Sequence, residues 1–360
     1  MKIEIHPRLI LRTASEQKIS LVKGIKLLDA IQRTGNITAA SKALAISYRN
    51  GWDLLKNMEL GLGGPVVVMR KGHGSSLTDL GRRLLFAQQL VEAKFNPLLD
   101  SMAAEVEAEI KRAVGSPTPV LKIFASHDFA VEKLNVSLQQ RQIETELNFE
   151  GSLAAVSALD RGLCQIAGFH IPIGELETQA LRPFEQFLQP HHRLIHLATR
   201  RQGIMVQKGN PENIWHIADL LRPEVRFVNR QKGSGTRLLL DLLLQKEGVS
   251  AEELLNTHSV EFTHAAVAAR IVSGRADCGL GVETAARQAE LDFVPLLNEA
   301  YFFVCNEALL ATEQLDTVLM LMRSNEFKSE IGELAGYDAT LCGQFKAVEE
   351  MFATRLDQVA

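Results

Sequence analysis

The segment Val228–Asp241, VNRQKGSGTRLLLD, places two glycines, two hydroxyls and an arginine between an apolar run and a leucine-rich run. If a strand ends and a helix begins there, the free N–H groups of the first helical turn lie beside these side chains. Free N–H groups and the positive end of the helix dipole favour a bound anion. The segment therefore predicts an anion site, either for a nucleotide in catalysis or for a small anion that is sensed.

Motif spacing argues against a catalytic nucleotide loop. A P-loop needs G-x-x-x-x-G-K-[ST], and GSGTR has neither that spacing nor the lysine. The dinucleotide pattern G-x-G-x-x-G is met by Gly233 and Gly235, but Leu238 stands in its third glycine position. A Ser-His-Asp relay would need residues 126–128, which are adjacent and point in different directions at a helix start. We therefore expect a binding protein and no enzyme.

Four predicted strand-to-helix junctions carry small hydroxyls, glycine or histidine, at residues 126–128, 151–152, 233–237 and 263–264. One such junction is usually only a helix cap, but several that converge make a binding site. The candidate ligand residues at these junctions are Ser126, His127, Ser152, Gly233, Ser234, Gly235, Thr236, Arg237 and His264.

Metal and disulfide chemistry is not expected. His191, His192 and His196 resemble a metal-binding tract, but they flank a predicted strand on which only alternate residues share a face. The four cysteines have no partner at metal-ligand or redox spacing. Cys164, Cys278 and Cys305 lie in apolar contexts, which predicts buried, inert thiols and fits a reducing compartment.

No run of about 18 apolar residues is present, and the first residues lack the apolar core of a signal peptide. We therefore expect no membrane span, no export and a cytoplasmic location. Charge is distributed unevenly: residues 1–112 hold 17 Lys and Arg against 11 Asp and Glu, whereas the remainder has a net charge of −10. A basic first part on an acidic remainder suggests that the first part binds a polyanion.

The first hundred residues predict a helix-turn-helix. Apolar residues at helical spacing run from Val22 until TGN ends the helix, and Thr38 can cap a short second helix. Ser47 can cap a third helix, from Tyr48 to about Leu60, with its long polar side chains available to phosphates or bases.

A β-hairpin follows, in which PVVVM leads to the basic turn RKGHG. Such a hairpin is the wing of a winged helix, and 11 basic against 4 acidic residues between Lys18 and Arg83 would provide phosphate contacts. The expected partner is double-stranded promoter DNA. The candidate DNA-binding residues are Thr38, Ser47, Tyr48, Arg49, Asn50, Lys56, Arg70, Lys71 and His73.

The stretch TGNITAASKALAISYRNGWDLL, within residues 21–90, resembles the winged-helix domain of ModE-type molybdenum-responsive regulators, relatives of LysR-type regulators. A long helix from Thr78 to about Val114 follows, with a kink or break predicted at Pro97. Its apolar seam consists of Leu84, Val91, Phe95, Leu98, Met102, Val106 and Ile110. The resemblance implies that this helix forms a homo-oligomer, a dimer or a tetramer; the alternative is a helix packed on its own C-terminal domain.

From Val120 onward, short apolar runs alternate with helical runs, which predicts an α/β domain with mostly parallel sheets. GSLAAVSALDRGLCQIAG and THAAVAARIVSGRADCGLG share one plan, so Gly162 and Gly168 correspond to Gly274 and Gly281. Two copies of one unit suggest two similar lobes whose strand ends face each other across a cleft.

NRQKGSGTRLLLD, THAAVAARIVSGRADCGLGVE and LDFVPLLNEAYFFVC resemble the type II periplasmic-binding-protein-like domain related to molybdate-binding proteins, over residues 120–351. The resemblance implies that hydroxyls and backbone amides hold a ligand between lobes. By motif position this applies to Ser126, Ser152, Ser234, Thr236, Arg237 and Tyr301. GFHIPIGEL lacks the aspartate that relatives carry after a GxH motif, so the ligand can differ from theirs.

The predicted fold is therefore α/β overall. It comprises a winged helix-turn-helix (1–90), a linker or dimerisation helix (91–117) and a two-lobed domain (118–360). Lobe 1 is expected at about 118–202 and 301–360, and lobe 2 at about 203–300.

The predicted function is a transcription regulator that needs no cofactor and senses a small anion. The resemblance implies molybdate or tungstate, and formate would satisfy the same donors; molybdenum-uptake or formate dehydrogenase genes would be the targets. The alternatives are a solute-binding protein of a transporter and an enzyme that acts on phosphorylated metabolites.

Overall fold

The computed structural model describes residues 2–12, 16, 18–70, 74–114, 120–250, 254 and 259–353. They form two compact units, one of His6–Asn96 and one of Met1–Ile5 with Pro97–Ala360. In the first unit the strands are β1 (Ile10–Arg12), β2 (Lys18–Ser20), β3 (Val67–Arg70) and β4 (Gly74–Leu77). Its helices are α1 (Val22–Thr34), α2 (Ile37–Ala43), α3 (Tyr48–Leu62) and the start of α4 (Asp79–Ala113).

The helix-turn-helix forms because each of its helices has a defined start and stop. α1 ends at Gly35, which takes the left-handed conformation that glycine adopts without strain. The Asn36 side chain, and not Thr38, caps α2 by accepting from the N–H groups of Thr38 and Ala39, since Asn36 stands before the first helical residue. Ser47 caps α3 as predicted, by accepting from Asn50 N–H.

α4 continues through Pro97 as a single helix of 35 residues, so the predicted break does not occur. Thr78 Oγ1 caps its start by accepting from Gly81 N–H at 3.1 Å. Leu85 packs into the core of the N-terminal unit, and in the second unit Ser101 Oγ accepts from Phe149 N–H at 2.9 Å. The side chains of Lys111 and Glu144 form an ion pair farther along the same helix.

The second unit contains one ten-stranded sheet in the order β10-β9-β11-β8-β12-β7-β5-β6, with β13 and β14 paired to β8. The strands are β5 (Leu121–Ala125), β6 (Thr145–Phe149), β7 (Ile166–Pro172), β8 (His192–Val206), β9 (Phe227–Arg230), β10 (Ser259–Glu261), β11 (Cys278–Val282), β12 (Asp292–Asn306), β13 (Tyr337–Asp338) and β14 (Phe345–Ala347). The helices are α5 (Phe129–Gln140), α6 (Ser152–Asp160), α7 (Glu177–Leu181), α8 (Gly235–Lys246), α9 (His264–Val272), α10 (Glu283–Gln288), α11 (Glu313–Arg323), α12 (Asn325–Gly332) and α13 (Val348–Ala353).

Two lobes share this sheet. β5, β6 and β7 pair in parallel in the first lobe, and β9, β10 and β11 pair in parallel in the second. β8 and β12 are antiparallel strands of 15 residues each that run from one lobe into the other. The expectation of mostly parallel pairing therefore holds within each lobe, but the strands that join the lobes pair antiparallel. We call β8 and β12 the hinge strands.

The repeat seen in the sequence is a repeat in the structure. α6 and α9 are each followed by a glycine with positive φ, Gly162 at 70° and Gly274 at 68°, and then by β7 and β11. Gly168 lies where an added Cβ would meet Tyr301 Oη at 2.6 Å, so glycine there allows the tyrosine to approach the strand.

All four cysteines are free and buried, as expected for the three considered above. Burial raises the pKa of Cys164 to about 11 and that of Cys305 to about 12, so these thiols stay protonated and unreactive. Among the described helices, none is both long enough and apolar enough to cross a membrane.

Candidate functional site: a polar cluster between the lobes

The four predicted junctions are all helix starts, and the two lobes meet at them. α5, α6, α8 and α9 begin after Asp128, Gly151, Ser234 and Thr263. A Cβ added to Gly151 in lobe 1 would lie 2.8 Å from the Gly233 carbonyl oxygen in lobe 2. A Cβ added to Gly235 would overlap the His170 imidazole. The lobes are therefore closed on each other, and only glycine permits this contact.

Lobe 1 contributes a chain of hydrogen bonds to the cleft. Tyr301 Oη donates to the Ser126 carbonyl oxygen at 2.8 Å, and Ser126 Oγ donates to Tyr301 Oη at 3.2 Å. His170 Nδ1 lies 3.3 Å from Ser126 Oγ and 3.4 Å from Ser152 Oγ. Burial, and then the nearby charges of Arg200 and Arg230, hold the pKa of His170 well below its ordinary value, so the ring is neutral.

The hinge strands contribute a buried ion-pair network. Arg200 on β8 is fully buried and donates to Glu299 Oε2 through Nε at 3.0 Å and Nη2 at 2.9 Å. Its Nη1 pairs with Asp128 Oδ2, to which Tyr337 Oη also donates at 2.7 Å. All three guanidinium nitrogens of Arg200 donate to a carboxylate, which stabilises the buried charge.

Lobe 2 contributes Arg230, at the end of β9, in a very different environment. Arg230 is only 7% exposed, and its Nη1 lies 3.0 Å from His264 Nδ1 while its Nη2 donates to the Phe262 carbonyl at 2.9 Å. In the described part of the chain nothing accepts from its Nε and no carboxylate forms an ion pair with it, although the charges of Glu299 and Glu261 act on it from farther away. Burial, and then repulsion by Arg200, lower the pKa of Arg230 to about 9.

The geometry around Arg230 also fixes the state of His264. An arginine can only donate, so His264 Nδ1 accepts and the ring proton is on Nε2. Burial, and then the charge of Arg230, hold the pKa of His264 well below its ordinary value. Next to this pair, Gln202 Nε2 donates to Thr236 Oγ1 at 3.2 Å, and both residues are buried.

Half of the predicted ligand residues lie in this cluster, namely Ser126, Ser152, Thr236, His264 and Tyr301. Others lie around a cavity of about 220 Å³ lined by Gly233, Ser234, Gly235, Arg237, the apolar Phe184 and Leu238, and further residues. The Ser234 hydroxyl is used at the cap of α8, where it accepts from Arg237 N–H and donates to the Gln231 carbonyl.

Two predicted ligand residues have local partners. Arg237 Nε donates to Asp241 Oδ1 at 2.8 Å, one turn along α8. His127 Nε2 lies 2.7 Å from Glu132 Oε1, and its ring packs on Phe149. Neither contact uses the residues of the central cluster, so the assignment of these two residues to a ligand stays a prediction.

The sequence reasoning missed five polar residues of the cluster, namely His170, Arg200, Gln202, Arg230 and Glu299. A signal was present for Arg200, Gln202 and Glu299, because they interrupt two long apolar runs, LIHLATRRQGIMV and LLNEAYFFV. A charge inside a strand that is apolar on both sides is buried with it, and such residues are retained at functional sites.

The candidate DNA-binding residues of α2 and α3 are exposed on the N-terminal unit. Thr38, Ser47, Tyr48, Arg49 and Asn50 all lie at the surface. Lys56 is exposed, but its Nζ pairs with Glu59 at 3.2 Å and lies over the Trp52 ring. The hairpin of β3 and β4 is present as predicted, whereas Lys71, His73 and the side chain of Arg70 fall outside the described residues.

No group of histidine, cysteine or carboxylate side chains in the described part of the chain has the geometry of a metal site. His192 and His196 have separate roles, because Gln189 N–H donates to His192 Nδ1 whereas His196 packs edge-on against Phe302.

Two known protein families match parts of the chain. "PBP superfamily domain" matches residues 135–323, and "Bacterial regulatory helix-turn-helix protein, lysR family" matches residues 22–82. The chain belongs to the PBP superfamily and carries a LysR-type helix-turn-helix. It is a transcription regulator with a PBP-like effector-binding domain, and not an enzyme, as predicted. The predicted fold class is also confirmed.

The regulator is similar to YvgK of Bacillus subtilis (strain 168), an uncharacterized protein, at 32% identity over 245 residues, which is 67% of this chain and 78% of that protein. It is 31% identical over 146 residues to the molybdenum transport protein ModE of Azotobacter vinelandii, covering 37% of this chain. This match spans about half of ModE, 53% of its length.

A solved structure of a hydrogen peroxide-bound mutant of Corynebacterium glutamicum OxyR is also similar. It covers 87% of this chain and 94% of that chain, with 15% identity and a TM-score of 0.45.

Proposed function

We propose that the regulator binds a small anion in the cleft between its lobes and that the bound anion changes promoter binding by the helix-turn-helix. Arg230 is the observation that carries the proposal. A buried guanidinium that donates only to a neutral imidazole and a carbonyl is costly by several kcal/mol, because no carboxylate forms an ion pair with it and the charges of Glu299 and Glu261 offset its desolvation only in part. A ligand anion at its unpartnered Nε would supply that charge.

The other buried guanidinium of the cleft provides a comparison. Arg200 already has Glu299 and Asp128 as hydrogen-bonded partners. An anion beside Arg200 would compete with two hydrogen-bonded carboxylates, whereas no carboxylate of the described chain forms an ion pair with Arg230. The proposed anion position is therefore on the lobe 2 side, between Arg230 and the start of α8.

Binding between the lobes explains how a small anion would act. Gly151 and Gly233, and Gly235 and His170, touch only when the lobes are closed. A ligand that binds the closed arrangement better than an open one shifts the population toward closure. We infer that this shift is transmitted to a homodimer or homotetramer through α4, and hence to DNA.

Molybdate, tungstate and formate are the first anions to test. Their support is the similarity to ModE and to a protein named "Molybdenum-pterin-binding protein MopB" from Rhodobacter capsulatus, which is 32% identical over 124 residues. Molybdenum-uptake or formate dehydrogenase genes are the corresponding target genes. The protein would then act on promoter DNA in the cytoplasm.

The experiment is a thermal-shift screen of the full-length protein against molybdate, tungstate, sulfate, phosphate, formate and nitrate, with Arg230→Met beside the wild type. A ligand that binds only the folded state raises the melting temperature. We expect at least one anion to stabilise the wild type and to leave Arg230→Met unchanged. Arg275→Met, which removes an exposed arginine of the same domain, is the control and should respond like the wild type. Equal shifts for wild type and Arg230→Met would place the anion elsewhere.

A further inference from the structure

Four buried polar atoms in the cleft have no hydrogen-bond partner among the described residues: His170 Nε2, Gln202 Oε1, Arg230 Nε and Glu299 Oε1. Their residues are each 7% exposed or less. Buried polar atoms are nearly always hydrogen-bonded, so four unpartnered ones in one cleft indicate a ligand that satisfies them together.

The residues that hold these atoms are neighbours, and Arg230 is close enough to Glu299 and His170 to interact with both electrostatically. His170 Nε2 and Glu299 Oε1 are 4.0 Å apart. The His170 ring lies against Gly235, and the next residue, Thr236, accepts from Gln202 Nε2. Arg200 and Gln202 are two residues apart on β8, so their side chains lie on the same face of the sheet.

Hydrogen-bond geometry assigns the role of His170 Nε2. Ser126 Oγ uses its only proton on Tyr301 Oη, because the Tyr301 proton goes to the Ser126 carbonyl. The oxygen of Ser126 therefore accepts from His170 Nδ1–H at 3.3 Å. A neutral imidazole carries one proton, so Nε2 is left as an acceptor.

The cleft thus offers three acceptors and one cationic donor. His170 Nε2, Gln202 Oε1 and Glu299 Oε1 accept, and Arg230 Nε donates. A fully deprotonated oxyanion such as molybdate or sulfate can only accept. Such an ion would satisfy Arg230 but would leave the three acceptors unpartnered and would place its oxygens against the Glu299 carboxylate.

We propose that the effector is a small anion that carries its own hydrogen-bond donor, with the anionic oxygen on Arg230 and the donor between His170 and Glu299. Two classes share this chemistry: a hydrogen oxyanion, such as hydrogen phosphate or hydrogen carbonate, and a carboxylate with a hydroxyl or ammonium group on the next carbon. The inference rests on the proposed function, because it requires that Arg230 binds an anion. It predicts that fully deprotonated molybdate, tungstate and sulfate bind poorly.

The test compares anions that differ mainly in the donor, by calorimetry on the full-length protein near neutral pH. The pairs are hydrogen phosphate and sulfate, hydrogen carbonate and nitrate, glycolate and acetate, and glycine and acetate. We expect one donor-bearing member to bind and its partner to bind at least about ten-fold more weakly, because the partner leaves buried acceptors unsatisfied. The first two pairs report a hydrogen oxyanion, and the last two a substituted carboxylate.

The outcomes separate this inference from the proposed function. If sulfate, nitrate or acetate binds as tightly as its donor-bearing counterpart, the donor inference is overturned while an anion site at Arg230 stands. If no member of any pair binds, both are overturned. His170→Phe is the variant, since it keeps an aromatic ring but removes the Nε2 acceptor that faces the donor; it should weaken the donor-bearing anion about ten-fold and leave its partner unaffected. The wild-type comparison decides the question even if that variant does not fold.

Discussion

Arg200 and Arg230 are both buried, yet they stand in opposite electrostatic surroundings. Replacing Arg200 by Met would leave Asp128 and Glu299 without a cation, and an uncompensated buried charge costs about 3–5 kcal/mol. Replacing Arg230 by Met removes a cation that has no carboxylate partner, along with two hydrogen bonds to neutral acceptors. We expect Arg230→Met to lose less than about 1.5 kcal/mol. Urea unfolding without added anion measures both; equal losses would mean that Arg230 is also paired in the folded protein.

Four buried histidines predict a pH dependence of stability. The pKa of His196 is lowered to about 4, first by burial; burial also lowers the pKa of His192, and those of His170 and His264 lie well below their ordinary value. Below about pH 6.5 the unfolded chain binds these protons and the folded chain does not, so stability falls as the pH is lowered. Each histidine contributes about 1.4 kcal/mol per pH unit between its two pKa values.

The measurement is the free energy of unfolding at pH 7, 6 and 5. His196→Gln should reduce the slope by about 1.4 kcal/mol per pH unit, since it removes one of the four histidines whose pKa is lowered in the folded protein. An unchanged slope would show that His196 is protonated in the folded state, contrary to its packing against Phe302.

At the scale of single elements, α3 has the properties of a recognition helix. Arg49 is exposed at its start, and Lys56 pairs with Glu59 on the same helix. We expect Arg49→Ala to cost about 1–3 kcal/mol of promoter affinity and to relax sequence preference. Lys56→Ala should lower the slope of log affinity against log salt concentration by about the amount expected for one phosphate contact. Fluorescence anisotropy on promoter DNA at several salt concentrations measures both. Arg275→Ala should change neither, and loss of affinity in that control would point to DNA contacts outside α3.

The linker helix α4 carries an apolar seam whose side chains remain partly exposed in the described part of the chain. Phe95, Leu98, Met102, Val106 and Ile110 are between 37% and 57% exposed. Ser101 and Lys111, by contrast, contact the C-terminal unit. The seam therefore supports the proposal that α4 pairs with a second copy, since a single helix cannot bury such a stripe by itself.

Met102→Glu combined with Val106→Glu should convert the oligomer to a smaller species. Two charges in an apolar seam, doubled by two-fold symmetry, should weaken association on the order of 100-fold. Light scattering after size-exclusion chromatography measures the mass, and circular dichroism checks that the helix remains. Glu105→Gln, on an adjacent exposed position, is the matched control. A double variant that keeps its mass would leave α4 as a monomeric spacer.

At the scale of the whole C-terminal domain, closure depends on glycine. A Cβ at Gly235 would overlap the His170 imidazole, but the backbone conformation there is open to any residue. Gly235→Ala should therefore fold, hold the lobes apart and weaken effector binding by on the order of 100-fold. Titration calorimetry measures the affinity. Gly332→Ala is the control, because a Cβ there meets nothing. Unchanged affinity in Gly235→Ala would mean that the effector binds without closure.

Local patterns in the sequence predicted the winged helix, the four helix starts and the two related lobes. They succeeded because caps such as Ser47 and turn glycines such as Gly162 and Gly274 act on their immediate neighbours. The error at the α2 cap was also local: Asn36 and Thr38 are both good caps, and only the position of the first helical turn distinguishes them.

The sequence by itself determined that a domain whose helix starts carry small hydroxyls follows a DNA-binding module. Only the tertiary structure decided which side chains meet in the cleft. Arg200 and Glu299 are 99 residues apart in the chain, and Arg230 and His264 are 34 apart. Strand pairing across β8 and β12 and the closure of two lobes bring them together, and neither contact leaves a periodic trace in the sequence. Whether an arginine is paired or unpaired depends on these long-range contacts, and that difference directed the proposed effector site to Arg230.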